Sequence, residues 1–282
     1  MVQSRRVQVH GNLAMDPARR VATADVIHVL PHAQAAPPKT SDVRIRHIDP
    51  HLVVVEKPAG MTTVRHPEEK NWPARRRQLQ PTLEESLNRI IAKRERAGAR
   101  GAPRVRPVHR LDRETSGLMV FARTVPAERG LVQQFSKHTI TRRYLAIVAG
   151  HIGARRIEST LVRDRGDGRR GSGEDESGKR AVTHVHPLER LANHTLVECR
   201  LETGRTHQIR IHLAEQGHPV CGDKVYRAGK SFRETIPDTS GAPRLALHAT
   251  ELGFVHPITG ESLHFEMPLP KELAALLRRL RS

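Results

Sequence analysis

A polar segment that leads straight into a short apolar run constrains this chain more than any other stretch. Residues 109–117 read HRLDRETSG, and residues 118–122 read LMVFA. An apolar run this short suits a strand buried on both faces better than a helix. The polar part ends in Thr-Ser-Gly, a turn composition, so it predicts a loop that feeds a buried strand.

Asp112 is the candidate reactive side chain of this loop. It lies between Arg110 and Arg113 in the sequence, and a loop anchored on a buried strand can hold a side chain rigidly. The same residues also fit a surface carboxylate that pairs with one of the two arginines. The loop by itself leaves both interpretations open.

The charge balance indicates what the protein binds. The chain has 48 Lys+Arg against 30 Asp+Glu, a net charge of +18, which favours polyanions and above all nucleic acid. A basic membrane-surface protein would use aromatic anchors, but aromatic residues make up only 3% of this chain. We therefore expect an RNA or DNA partner and no membrane partner.

Cysteine usage and hydropathy point to a cytoplasmic protein. The two cysteines, Cys199 and Cys221, lie far apart and show no metal-ligand spacing. No apolar leader segment or membrane-spanning run is visible. A reducing, cytoplasmic location is therefore expected, with a monomer as the default oligomeric state.

The chain divides into a small N-terminal unit and one large domain. Residues 1–30 contain two short alternating segments around a Gly-Asn turn, which predict a small β unit. Residues 31–42 hold three prolines without periodicity and form a linker. Residues 43–282 form the second domain.

The pattern of the second domain predicts an α+β fold. Its strands and helices do not alternate steadily as in a parallel βαβ sheet, so we expect a mixed, largely antiparallel sheet flanked by helices and loops. Thr82 and Thr206 are expected to cap helices, and Gly217 to end the second of these. Residues 153–180 are expected to form a solvated loop or a hairpin. The predicted strands cover 52–56, 118–122, 142–148, 196–201 and 245–249, and the predicted helices begin near 82, 126, 206 and 273.

Three segments resemble the RNA pseudouridine synthases of the RluA type. They are Val55–Gly60, His109–Gly117 and Leu201–Tyr226, and the resemblance spans about residues 43–270. It implies the pseudouridine synthase catalytic fold and the isomerisation of uridine in structured RNA without a cofactor. Large-subunit ribosomal RNA is the first expectation for the substrate and tRNA the second. Residues 1–30 resemble half of a small RNA-binding module whose helical half is absent.

The resemblance also assigns roles to individual residues. It implies that Asp112 is the catalytic aspartate, that Arg110 occupies the space left by a flipped nucleotide, that Tyr144 is an active-site residue, and that Arg210 pairs with the aspartate. Where the family often has lysine this chain has Arg142, to which no role is assigned. RNA contacts are predicted for four further residues, His109, Arg113, Arg205 and His207.

Two other functions compete with this interpretation. A metal-dependent nuclease using Asp112 and His109 would need more convergent carboxylates than these segments offer. His207 and His212 are five residues apart rather than four, so no metal site is predicted. A non-catalytic RNA-binding or ribosome-assembly protein is the second alternative. The intact 109–117 segment favours catalysis over both, because one ionised carboxylate can serve the isomerisation as nucleophile or base.

Overall fold

A computed structural model describes most of the chain. It covers residues 2–9, 12–14, 17–18, 20–23, 25–30, 36–69, 71–96, 104–165, 169–173, 178–228 and 235–281. Gly11 of the predicted turn, residues 31–35 of the linker, and residues 166–168 and 174–177 of the 153–180 segment lie outside the described residues. No helix in the described part of the chain is long and apolar enough to cross a bilayer.

Helices and strands alternate irregularly along the described residues. The helices are α1 Ala74–Leu79, α2 Leu83–Arg94, α3 Val125–Ser136, α4 Gln208–Glu215 and α5 Lys271–Arg281. The strands are β1 Val7–Val9, β2 Asn12–Leu13, β3 Ile27–Val29, β4 Arg44–Ile48, β5 Leu52–Lys57, β6 Arg106–Pro107, β7 Ser116–Ala122, β8 Thr141–Ala149, β9 Arg155–Val162, β10 Gly171–Ser172, β11 Lys179–Arg190, β12 His194–Leu201, β13 Leu247–Val255 and β14 Ser262–Glu266.

One large sheet organises the protein. Its strand order is β10-β9-β11-β12-β8-β13-β7-β5-β4, with β14 paired to β13 and β6 paired to β7. Among its described strand pairs only β13 and β7 run parallel. A separate small sheet has the order β2-β1-β3 and is antiparallel. The predicted α+β class, with a mixed and largely antiparallel sheet and an N-terminal β unit, is confirmed.

Strand β7 is apolar throughout because both of its faces are covered. Met119 and Phe121 belong to the core that contains α2 and α5, whereas Leu118, Val120 and Ala122 belong to the core that contains α3. This division follows from the alternation of side chains along a strand. Each large side chain buried in this way contributes about 1.5–3 kcal/mol to stability. The predicted doubly buried strand is confirmed.

The helix ends show one correct prediction and one error. Thr82 accepts from the Glu85 amide, and the Glu85 carboxylate accepts from the Thr82 amide, so this predicted capping box forms. Thr206 does not cap α4; the residue before the helix is His207, in a left-handed conformation with φ of +60°. The preceding turn is closed instead by Gln208, whose Oε1 accepts from the Thr203 hydroxyl and the Arg205 amide. Gly217 ends this helix as predicted, with φ of +83°.

The segment 153–180 is a hairpin rather than an open loop. Strands β9 and β11 pair antiparallel, with Lys179 opposite Leu161, and β10 adds to the outer edge of β9. Of the two structures considered for this segment, the hairpin is confirmed over the described residues.

Gly117 allows the parallel strands to approach each other behind the predicted loop. Its φ is +130°, and a Cβ placed on it would lie 2.2 Å from the carbonyl oxygen of Ala249 on β13. Only glycine combines this backbone conformation with this approach. The contact fixes the start of β7, and with it the loop that carries Asp112.

Replacing Gly117 by alanine therefore tests the strand pairing. We expect Gly117→Ala to lower the free energy of unfolding by about 2–4 kcal/mol, since backbone strain and overpacking act together. Gly153→Ala is the matched control, because a Cβ at Gly153 meets nothing within 4 Å. Urea unfolding monitored by circular dichroism measures both. Equal midpoints for the two variants would show that the close approach is absent in solution.

Candidate active site

A cavity of about 500 Å³ lies between the loop before β7, strand β8 and the start of α4. Its described lining residues include a single carboxylate, that of Asp112. They also include four arginines, namely Arg110, Arg142, Arg205 and Arg210. An open, cationic cavity with one acid suits a ligand that carries negative charge and presents one reactive centre.

The loop that carries Asp112 is tied to the first of the three sequence segments and its neighbours. The Thr63 hydroxyl donates to the carbonyl of Leu111 at 3.0 Å, and the Gly60 amide donates to the carbonyl of Arg113 at 2.7 Å. The residues on both sides of Asp112 are thus fixed by hydrogen bonds. This arrangement holds the carboxylate in place before any ligand arrives.

Lys57 also supports this loop by a hydrogen bond to its backbone, a role that the sequence did not reveal. Its side chain is fully buried, and Nζ donates to the carbonyls of Pro58 and Arg113, each at 3.0 Å. Burial lowers the pKa of Lys57 to about 7, although the charges of Glu114 and Asp112 oppose the shift. The sequence signal that could have indicated this role is the position of Lys57 in a Lys-Pro turn directly after a buried strand.

Arg210 links Asp112 to a second carboxylate. Its Nη1 donates to Asp112 Oδ2 at 3.3 Å, while Nε and Nη2 donate to the two oxygens of Asp223 at 2.7 and 2.9 Å. Burial alone would lower the pKa of Arg210, but these bonds and charges raise it, so the guanidinium stays charged. The guanidinium also lies over the ring of Tyr226, 4.9 Å from its centroid.

Exposure distinguishes the two carboxylates. The Asp223 side chain is 0% exposed, and its Oδ1 also accepts from the amides of Val225 and Tyr226. The Asp112 side chain keeps 16% exposure and lines the cavity. Asp223 therefore holds the arginine, and Asp112 is left able to reach a ligand. The sequence contained Asp223 within the third segment but gave no indication of this partnership.

His207 lies on the other side of Asp112. Its Nε2 is 3.8 Å from Asp112 Oδ1, and its Nδ1 is 2.7 Å from the Tyr226 hydroxyl. Burial lowers the pKa of His207, which favours the neutral ring, although the Asp112 charge opposes the shift. Burial also raises the pKa of Tyr226 to about 12, so its hydroxyl keeps its proton at neutral pH.

Tyr144 and Arg110 complete the predicted set. Both line the cavity together with Asp112 and Arg210. Tyr144 is buried on β8, and burial and the Asp112 charge raise its pKa, so it also stays protonated. Arg110 is exposed at the rim. The structure thus brings together the four residues to which the sequence gave catalytic and supporting roles.

The four residues predicted to contact RNA are placed differently from one another. His207 and Arg205 line the cavity, and the Nε of Arg205 donates to the Arg180 carbonyl at 3.0 Å. His109 also lines it, but its Nε2 accepts from the Val120 amide, and burial lowers its pKa to about 3. Arg113 turns towards the first segment and donates to the Gly60 carbonyl at 3.1 Å. The RNA contacts of all four stay predictions.

A second cationic cavity, of about 290 Å³, adjoins the first. It is lined by Arg163, Arg170 and Lys179 and shares residues 204–206 with the first cavity. None of its described lining residues is acidic. The cationic surface around Asp112 therefore extends to the end of β9 and the start of β11.

Other histidines and carboxylates serve packing and ion pairs. His212 is fully buried and lies within hydrogen-bonding distance of the Ser159 and Thr183 hydroxyls. In the described part of the chain, one group of possible metal ligands forms, namely Glu251, His264 and Glu266. The guanidinium of Arg143 already pairs with both of these carboxylates.

Comparison with known proteins connects this geometry to a family. The family model for RNA pseudouridylate synthase matches residues 51–215, a range that contains Asp112, Tyr144 and Arg210. The chain is 39% identical over 275 residues to ribosomal large subunit pseudouridine synthase D of Zymomonas mobilis, covering 96% of this chain and 84% of that protein. It is 40% identical over 250 residues to the protein of the same name from Neisseria meningitidis serogroup B, covering 86% of this chain and 63% of that protein.

The fold comparison agrees. Human RNA pseudouridylate synthase domain containing 4 superposes with a TM-score of 0.66 at 25% sequence identity, over 84% of this chain and 92% of that one.

The support that Lys57 gives the loop can be tested through pH. Its pKa of about 7 lies below the ordinary 10.5, so between these values the unfolded chain binds more protons than the folded one. The free energy of unfolding should therefore rise with pH in this window, by on the order of 1 kcal/mol per pH unit. We expect Lys57→Met to lack this rise and the exposed Lys137→Met to retain it, in urea unfolding measured from pH 7 upwards. Parallel curves for wild type and Lys57→Met would contradict the burial of this ammonium group.

Proposed function

This chain belongs to the RNA pseudouridine synthase family, and from that membership and the geometry around Asp112 we propose that it isomerises specific uridines of large-subunit ribosomal RNA. The observation that carries the proposal is that Asp112 is the single carboxylate among the described lining residues, held by Arg210 and accompanied by three further arginines. The names of the two bacterial relatives support ribosomal RNA as the substrate. tRNA is the second candidate substrate.

The chemistry requires a carboxylate and little else. The N1–C1′ bond breaks, the uracil turns, a C5–C1′ bond forms, C5 loses a proton and N1 gains one. No atom is added and no electrons are transferred to another molecule, so the reaction needs no cofactor. We assign the catalytic role to Asp112. It can act by attack on C6, by attack on C1′, or by removing a sugar proton, and each route uses the ionised form.

Arg210 is proposed as the residue that positions Asp112 and balances its negative charge. A cavity that takes up a base excludes water, which disfavours a charged carboxylate. The guanidinium at 3.3 Å offsets this cost, and its charge is secured by the bidentate bond to Asp223. The His207 ring lies 3.8 Å from the other Asp112 oxygen and so restricts rotation of the carboxylate on that side.

Arg110 and Tyr144 are proposed to offset the cost of base flipping. Taking a uridine out of its stack costs a few kcal/mol. The exposed Arg110 at the rim is placed to occupy the gap that the nucleotide leaves, and the buried Tyr144 ring offers a surface on which the base packs. The Tyr144 hydroxyl stays protonated and can donate to the base.

RNA binding is proposed to extend beyond the catalytic cavity. The cations of the second cavity would contact backbone phosphates, and such contacts are blind to sequence. Selection of the uridine would then rest on RNA shape and on the loops around the cavity. His109, Arg113, Arg205 and His207 belong to this proposed RNA-binding surface.

The chain is proposed to consist of a small RNA-binding unit, a linker and a catalytic domain. The separate three-stranded sheet supports a small RNA-binding unit at residues 1–30, joined by a linker at 31–42 to a catalytic domain at 43–282. We propose that the protein acts as a monomer. A cytoplasmic location follows from a ribosomal RNA substrate.

Pseudouridine mapping tests the proposal. Total RNA from cells lacking the gene is treated with a carbodiimide and read by reverse transcription. We expect one or more stops in large-subunit ribosomal RNA to vanish in the deletion and to return with the wild-type gene. Asp112→Asn should restore none of them, because an amide cannot act as the nucleophile or base.

Glu114→Gln is the matched control for that variant. Glu114 is a carboxylate on the same loop, 52% exposed and paired with Arg113 rather than Arg210, so its removal should leave the stops intact. Stops that return with Asp112→Asn would remove the catalytic role of Asp112. A deletion that changes no stop in any RNA would instead identify a non-catalytic RNA-binding protein.

A further inference from the structure

Arg142 is a cation of the catalytic cavity to which the mechanism gives no role. It lies on β8 two residues before Tyr144, and side chains two apart on a strand project to the same face. Both side chains line the cavity. The next residue, Arg143, projects to the opposite face, where it pairs with Glu198, Glu251 and Glu266.

The guanidinium of Arg142 is packed without a counter-ion. It lies over the Phe135 ring, with Cζ 5.4 Å from the ring centroid. A Cβ on Gly204 would come within 3.0 Å of its Nη1, so the absent side chain of Gly204 leaves room for it. Its Nε is buried and has no hydrogen-bond partner among the described residues. No carboxylate of the described chain forms an ion pair with it.

Arg142 is half-buried, whereas Arg210, which is buried in the same cavity, has counter-ions. Arg210 is neutralised by Asp112 and Asp223. Buried charges in proteins are normally paired, because an unpaired one loses its hydration without compensation. A half-buried guanidinium that faces a cavity, with a buried Nε that has no partner among the described residues, therefore points to a ligand that brings the anion. The cavity's own carboxylate, Asp112, is already paired with Arg210.

We propose that Arg142 binds a backbone phosphate of the RNA strand next to the target uridine and so fixes the nucleotide over Asp112. This rests on the proposed function, which makes RNA the ligand. Each nucleotide brings one anionic phosphodiester, and a guanidinium matches its oxygens with two parallel hydrogen bonds. The Phe135 ring and the space beside Gly204 hold the guanidinium plane of Arg142 in one orientation before RNA binds.

Binding of a short single-stranded RNA with one central uridine tests this assignment. It is compared with the same RNA carrying neutral methylphosphonate linkages on both sides of that uridine. Wild-type protein should bind the neutral-linkage RNA about tenfold more weakly or worse, as expected for the loss of a charge-assisted hydrogen bond. Arg142→Gln should bind both RNAs equally and as weakly as wild type binds the neutral one.

Two further variants make the comparison specific. Arg142→Lys keeps the charge but loses the two-pronged geometry, so it should discriminate between the RNAs by a smaller factor than wild type. Arg200→Gln removes one positive charge from a side chain that is 60% exposed, pairs with Glu198 and does not line the cavity. It should discriminate as wild type does. The binding constant for the unmodified RNA is also measured against salt concentration. In a plot of its logarithm against the logarithm of salt concentration, Arg142→Gln but not Arg200→Gln should reduce the size of the slope, by about 0.7.

Three results would overturn the proposal. Wild type binding both RNAs equally would show that no phosphate beside the uridine is contacted. Arg142→Gln that still discriminates would assign the contact to another cation. An unchanged salt slope with weaker binding of both RNAs would indicate a neutral contact, to a uracil carbonyl.

Failure of the proposed function gives a different result. Wild-type protein would then release no tritium from large-subunit ribosomal RNA transcribed with uridine tritiated at C5, where pseudouridine formation expels the hydrogen. The binding comparison needs no turnover, so it decides the role of Arg142 in either case.

Discussion

The ion pair between Arg210 and Asp223 is the interaction on which the site depends. Asp223 is buried, holds two guanidinium nitrogens and accepts two backbone amides, so it fixes the arginine independently of any ligand. A buried pair of this kind is a poor source of stability, because desolvation offsets its attraction. The pair presents a permanent, oriented positive charge to Asp112 at 3.3 Å.

The sheet explains how residues far apart in sequence reach this point. Strand β7 follows the Asp112 loop, β8 carries Tyr144, and β13 lies between them, parallel to β7 through the close approach at Gly117. Lys57, at the end of β5, then secures the loop by donating to the Arg113 carbonyl. The loop that carries Asp112 is thus held by hydrogen bonds to its backbone, and arginines lie around the carboxylate in the cavity.

Local sequence patterns predicted the elements well and the long-range partners poorly. The run after Gly117, the capping box at Thr82 and the stop at Gly217 depend on neighbours within a few residues, and all three are confirmed. The N-cap of α4 was misplaced because the Gln208 side chain shapes that turn, through bonds to the nearby Thr203 and to Val182 on the distant strand β11. The Arg210–Asp112 contact followed from family resemblance, and the role of Asp223 became visible only in the structure.

The turnover rate of Arg210→Ala tests the central claim most directly. It would be measured with excess enzyme on unmodified large-subunit ribosomal RNA, beside Asp112→Ala, with RNA affinity determined separately. If the arginine balances the charge of Asp112 and holds it in place, Arg210→Ala will be as inactive as Asp112→Ala and will still bind RNA. Asp223→Asn, which loosens the arginine without removing it, will fall between that variant and wild type. Near-normal turnover by Arg210→Ala would contradict the account.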